Sequence, residues 1–210
     1  MKHFKLTTES KVNSSGVTLF RIEATTLGVW GDVGTKGGWI QKEDNLFDNA
    51  WVFGNAEVFG NAKVFGNAKV FDNAWVFGSA WVYGSAEVYG SAEVSGSAKI
   101  FGSAKVSGNA WVYGNAEVSG SAEVSGGALV SGSAKIFGDS WDKSPLQIQG
   151  TRHFVNVCKK FTLRIGCNEF SFQQWKDNFE AIGRENGYNE VEIKEYGLYI
   201  DLAISIYGLK

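Results

Sequence analysis

Between Leu46 and Trp141 apolar and polar residues recur with a period of six. The unit reads Val52-Phe53-Gly54-Asn55-Ala56-Glu57, then Val58-Phe59-Gly60-Asn61-Ala62-Lys63, and runs through 16 hexads without an insertion. Position one is Leu, Val or Ile throughout, position three is Gly except at Asp48 and Asp72, and position five is Ala until Ser140. A strand sends alternate side chains to opposite sides. Positions one, three and five are therefore expected to face inward, with Val and Ile filling a core and Ala and Gly fitting its tight corners. The Glu, Lys and Trp of position six face outward, because charge stacked in a core carries a large desolvation cost. The absence of a 3.6-residue period, with Gly every sixth residue, excludes a helix. Nothing between hexads is long enough to reverse a strand, which excludes a meander. A short fixed period of this kind specifies a solenoid.

The repeat divides the chain into an N-terminal β cap (residues 1–45), the solenoid (46–141) and a C-terminal segment (142–210). In the cap, Phe4-Lys5-Leu6-Thr7 and Val17-Thr18-Leu19-Phe20-Arg21-Ile22 alternate as strands around an Asn13-Ser14-Ser15-Gly16 turn. The glycine-rich stretch Gly31–Ile40 lacks both the spacing of a phosphate-binding loop and a helix behind it. It is read as the entry to the first coil, with Trp39 and Ile40 plugging the core. After Trp141, strands are expected at 146–148, 154–158 and 161–165, followed by two helices. Ser171 with Gln174 and Asn189 with Glu192 form capping boxes. Phe172, Trp175, Phe179 and Ile182 give the first helix one apolar face. The second carries two apolar lines, Ile193, Tyr196, Ile200, Ile204 and Tyr207, and Val191, Leu198 and Leu202. So broadly apolar a helix requires burial against the prism, its neighbour or another chain, and the helix pair is wide enough to cover one flat of the prism.

The hexads resemble the hexapeptide-repeat left-handed β-helix, three hexads to a triangular coil, although the acyltransferases of that superfamily more often carry Gly at position two. The left-handed coil is implied by the resemblance. A little over five coils, spaced about 4.8 Å apart, give a prism roughly 25 Å long. Leu19–Ala24, Gly37–Leu46, Pro145–Gly150, Ile165-Gly166-Cys167, Trp175, Ile182–Tyr188 and Glu195-Tyr196 are similar to hexapeptide-repeat proteins of bacteriophage and prophage genomes. That resemblance implies an accessory phage protein in the cytoplasm of a bacterial host, and no particular chemistry.

The outward residues define three flats. One carries the alternating ladder Lys69, Glu87, Lys105 and Glu123, read as a solvated face. A second carries Lys63, Trp81, Lys99 and Lys135 beside Phe47, Phe65, Tyr83, Phe101 and Phe137. The third carries Glu57, Trp75, Glu93 and Trp111 beside Phe59, Phe77 and Tyr113. In all, 16 aromatics, Trp51 and Trp141 among them, are assigned outward. The candidate binding surface is Trp75, Phe77, Trp81, Tyr83, Trp111, Tyr113, Lys63 and Lys99. So much apolar area exceeds what a soluble monomer usually exposes. It predicts a homo-oligomer, a trimer first and a dimer second, or a surface for a host protein or a small nucleotide, with interference in a bacterial defence system as one specific form.

Charge adds little. The net charge is −2, distributed as +1, −3 and 0 over the three segments, with neither the basic stripe of a DNA binder nor the acid of a DNA mimic. The start lacks a secretory pattern and no apolar run is long enough for a membrane span. The two cysteines, Cys158 and Cys167, are expected to be reduced core residues. The hexads contain no His, and His3 and His153 lie outside the repeat. An acyltransferase needs a general base near a coil, and a zinc site of three His cannot be assembled from two. No catalytic residue, metal or cofactor is therefore assigned, and an atypical acyltransferase is the alternative reading.

Overall fold

Through most of the repeat a two-residue strand forms from position six of one hexad and position one of the next, then a corner. Strands three hexads apart stack in parallel: Glu57 on Trp75, Trp75 on Glu93, Glu93 on Trp111. The computed structural model describes residues 2–28 and 30–208 and forms a parallel β-solenoid of about six turns, ending in a two-helix segment. The flat of Glu57, Trp75, Glu93 and Trp111 continues into an N-terminal hairpin and is called the hairpin face. The ladder face runs from Trp51 to Trp141, and the lysine face from Lys63 to Phe137.

Positions one and five are fully buried from Leu46 to Ile136. Each buried Val contributes about 1.5–3 kcal/mol relative to exposure. Position three corrects the strict alternation, because its glycines do not point inward. They turn the corners with φ near +60 to +73° through most of the repeat, which residues with a Cβ rarely adopt. Gly96 shows the second constraint: a Cβ there would lie 2.8 Å from the amide nitrogen of Gly114 on the next coil. Asp48 and Asp72 hold the same left-handed conformation, with φ of 52° and 61°. Their carboxylates accept the N–H of Gly66 and Gly90 one coil on.

At the N-terminal end, β1 (Phe4–Val12) and β2 (Thr18–Ala24) form an antiparallel hairpin, and β2 pairs with β3 (Lys36–Ile40). β3 then joins the solenoid in parallel, with Trp39 beside Glu57 and Ile40 beside Val58. Ile40 thus fills the first coil, fully buried. Trp39 does not plug the core. It lies on the outside, clustered with Leu19 and Phe59, between the Arg21 and Lys11 cations at 4.4 and 4.6 Å from its ring centre.

At the other end the last hexad slips in register by a single position. Ser119 still pairs with Phe137, but Glu123 pairs with Ser140 and Val124 with Trp141, one position short of a full coil. Trp141 therefore takes the inward place of Val and is buried, not outward. A four-stranded antiparallel sheet follows: Gln147–Gln149, Phe154–Lys159, Thr162–Ile165 and Asn168–Ser171. The fourth strand has no apolar alternation to announce it. Helices α1 (Phe172–Glu185) and α2 (Glu190–Tyr207) start at the two capping boxes. They pack on this sheet and meet the end of the solenoid, where Tyr207 lies beside Trp141 and its hydroxyl accepts the Leu146 N–H. The helices thus close an end of the prism, and the flat they were expected to cover is not where they pack.

Candidate functional site

The outer faces fall into covered, self-paired and open parts. The tip of the N-terminal hairpin folds over the first coils of the hairpin face. Glu57, expected outside, is buried there, ion-paired to Lys11 at 2.8 Å and accepting from Asn13 Nδ2 at 3.0 Å. Phe59 is buried beside Leu19, and the half-buried Val17, Trp75 and Phe77 pack against that cluster. Trp51 is also covered, stacked against Trp30 at 5.3 Å. Trp51, Phe59 and Trp141 therefore leave the set of outward aromatics. Each was lost through a contact or a register change that the hexad pattern does not encode.

The ladder face is solvated as expected, with Lys69–Glu87 at 3.5 Å and Lys105–Glu123 at 3.9 Å. Such exposed pairs contribute little. The lysine face is less basic than its lysines suggest. Glu117 lies between Lys99 and Lys135, 4.0 and 2.9 Å from them, so the face keeps a positive balance but a smaller one than its lysines alone imply. On this face Phe65, Tyr83 and Phe101 stack at 4.8 and 5.1 Å with interplanar angles of 1° and 5°. Lys63 and Lys99 each lie 5.9 Å from the centre of Trp81.

Trp81 and Tyr113 stay open on either side of one edge, and Trp111 stays open at the other margin of the hairpin face. Position two of the hairpin face and position six of the lysine face are separated only by a short corner, Gly78-Ser79-Ala80 between Phe77 and Trp81. Trp81 is 41% exposed, Trp111 49% and Tyr113 38%. Of the candidate set, the structure brings Trp75, Phe77, Trp81, Trp111 and Tyr113 to the two faces that flank this edge, with Lys63 exposed beside them. Tyr83 is half-buried within the ring stack and Lys99 half-buried at Trp81.

The groups weighed for chemistry lie elsewhere. His3 Nε2 donates to the Ala50 carbonyl at 3.0 Å, and its ring packs against Trp30 at 4.4 Å, tilted by 33°; burial holds its pKa below the ordinary value. His153 sits in the C-terminal cap, its backbone N–H donating to the Tyr196 hydroxyl. It lines a cavity of about 50 Å³ with Trp175, Phe179, Tyr188 and Tyr196, room for a water or two and no more. Burial pushes the Tyr188 hydroxyl up to about 12. Cys158 is buried and donates to the Thr162 carbonyl, its thiol pushed up to about 12 by burial, which leaves it unreactive. Cys167 is exposed, not a core residue, and both thiols are free. Among the described residues no group of three or more His, Cys, Asp or Glu is placed to hold a metal ion, and no helix is long and apolar enough to cross a membrane.

Sequence reasoning missed the side-chain amides at the solenoid ends. Asn45 is fully buried, and its Nδ2 donates to Ala62 O at 2.8 Å and Gly60 O at 3.2 Å. In later coils a position-six backbone N–H donates to the corresponding Ala carbonyl, as Lys63 does to Ala80. Asn45 stands directly before the first hexad, at the place position six would take, where Glu, Lys or Trp is usual, and that departure was the available signal. At the far end, Gln147 bonds both Ser131 N and Leu129 O at 2.8 Å. Asn156, fully buried, donates to Lys135 O at 2.9 Å and accepts from Lys135 N at 3.4 Å.

No protein-family model matches the sequence, and no curated protein matches it significantly. The fold and surface define an aromatic-edged parallel β-solenoid, and its function has to be argued from that surface.

Proposed function

We propose that this protein is a non-catalytic binding protein that holds another protein along the aromatic edge of its solenoid. The observation that carries the reading is the exposure of Trp81, Trp111 and Tyr113 on a backbone locked by stacked coils. Rigid aromatic anchors lose little entropy on binding and dominate protein interfaces. The hexapeptide-repeat resemblance extends the proposal: the chain is an accessory protein of phage origin, and its target is a protein of the host cytoplasm such as a defence component. A nucleotide ligand is supported less well. Phe65, Tyr83 and Phe101 already stack on one another at 4.8 and 5.1 Å, which leaves no gap between rings for a base to enter. An acyltransferase reading has no observation in its favour, since His3 is held against Trp30 and His153 belongs to the C-terminal cap.

The test is site-specific photocrosslinking in bacterial cells. A photoreactive phenylalanine at position 81 or 113 should give one discrete adduct with a host protein, whereas the same residue at Ser107, on the ladder face, should not. Adducts only with the chain itself, or equal adducts from all three positions, would overturn the reading.

A further inference from the structure

The second apolar line of α2 is left uncovered. Val191 is 78% exposed, Leu198 60%, Leu202 43% and Ile206 55%, while Ile193, Tyr196, Ile200 and Ala203 are buried on the opposite side. At 3.6 residues per turn the four exposed residues fall within about 80° of arc, one continuous stripe along the helix. Glu195 projects into the same arc, but it does not interrupt the stripe. Its carboxylate is drawn aside to accept from Thr151 N at 2.8 Å and from the Thr151 hydroxyl and Tyr199.

We propose that this stripe is a dimer interface, occupied by α2 of a second copy running antiparallel about a two-fold axis. The argument is self-complementarity. Lys194 and Asp201 flank the stripe on one side, and neither has an ion-pair partner among the described residues. They lie two turns apart along one helix side. In an antiparallel pair that sets Lys194 level with Asp201 of the other copy, each such pair forms twice, as an isologous contact requires. The same register brings the two Leu198 side chains together at the axis. It also drops each Val191 between Leu202 and Ile206 of the other helix, a knob between two ridges. A single alignment therefore satisfies both the charges and the apolar side chains. A lipid surface fits less well, because Glu190, Glu192, Glu195 and Asp201 outnumber Lys194 on this helix, and interfacial helices carry a basic polar face.

Sedimentation velocity at micromolar concentrations tests the proposal. The intact chain should sediment as a dimer and Leu198→Glu as a monomer that keeps the parent's helix content, since the position is exposed in the single chain. Lys194→Glu places like charges in register and should weaken the dimer about tenfold or more, as should Asp201→Lys. The double variant Lys194→Glu with Asp201→Lys should recover the dimer, which a damaged fold would not do. A monomeric parent chain, a dimer that survives Leu198→Glu, or a double variant no better than the single ones would each overturn it. This surface is separate from the aromatic edge: Trp81→Glu with Trp111→Glu should leave the dimer intact, so either reading can fail without the other.

Discussion

At its N-terminal end the solenoid is closed by structure of its own kind. β3 joins as a parallel rung at the regular one-coil offset, Ile40 fills the core position, and the hairpin extends the sheet outward. At its C-terminal end the repeat is broken instead. The register slips by one position, Trp141 swings inward, and an antiparallel sheet with two helices lies across the opening. Despite that difference, both ends meet the exposed strand edge with side-chain amides, Asn45 at one end and Gln147 and Asn156 at the other. An open rung is a template for stacking another chain. The comparison shows that core closure and edge satisfaction are separate tasks. The first admits quite different solutions, while the second is met at both ends by a group that imitates a peptide unit.

The most damaging change removes the body that both ends depend on. Val94 is fully buried in mid-solenoid, and Val94→Asp should cost more than about 4 kcal/mol and leave little folded protein. Ser107→Asp, on the ladder face, should stay within about 0.5 kcal/mol. Urea melts of the two variants compare them directly, and equal losses would mean that the inward and outward sets are misassigned.

The next change isolates the shared device. Asn156→Leu keeps the branched shape, with two methyl groups in place of the amide, but strands the N–H and carbonyl of Lys135, and Asn45→Leu strands the Ala62 and Gly60 carbonyls. Each should cost about 2–3 kcal/mol, because a buried polar group left without a partner loses its full desolvation energy. The ends are roughly 20 Å or more apart at about 4.8 Å per coil, so the double variant should show the sum. A much larger cost at one end would show that the cap there, and not the amide, closes the edge.

These two changes also separate what the sequence made legible from what it did not. The inward Val and Ala positions could be read because each depends only on neighbours one hexad or one coil away, and the pattern repeats that fact many times. The corner role of Gly could not be read from alternation, because a left-handed φ is a backbone property. Trp141 was hidden because Ile136-Phe137-Gly138-Asp139-Ser140-Trp141 still reads as a hexad, although its strand is paired one position short of a full coil. Glu57 and Trp51 are covered by segments well upstream in the chain, through pairings such as Lys11–Glu57 and Trp30–Trp51. In the candidate site, Trp81, Trp111 and Tyr113 project as position and residue type imply. Glu117, which breaks the basic run of the lysine face, stands at position six in plain view, and its effect on that run was legible from the sequence alone.

The smallest expected effect also lies at the N-terminal end, where closure relies on aromatic packing around a titratable ring. His3 packs beside the stacked pair Trp30 and Trp51, its ring centre 4.4 and 5.8 Å from theirs, with Nε2–H donating to Ala50 O. Burial lowers its pKa, opposed by the Ala50 hydrogen bond and by the Asp48 charge. The unfolded chain therefore binds a proton near pH 6.5 that the folded chain accepts only at lower pH. Linkage then fixes the sign: the contribution is complete above about pH 6.5 and is lost as pH falls below it, levelling once the folded ring is protonated too. His3→Gln keeps an N–H donor for Ala50 O and removes the titration. Its melting temperature should fall less than that of the parent between about pH 7.5 and pH 5.5. Carboxylates and His153 are common to both chains, so the difference belongs to His3. The C-terminal end closes instead with Trp141 and Tyr207. Parallel profiles for the parent and His3→Gln would show that the N-terminal aromatic box holds its imidazole no more tightly than solvent does.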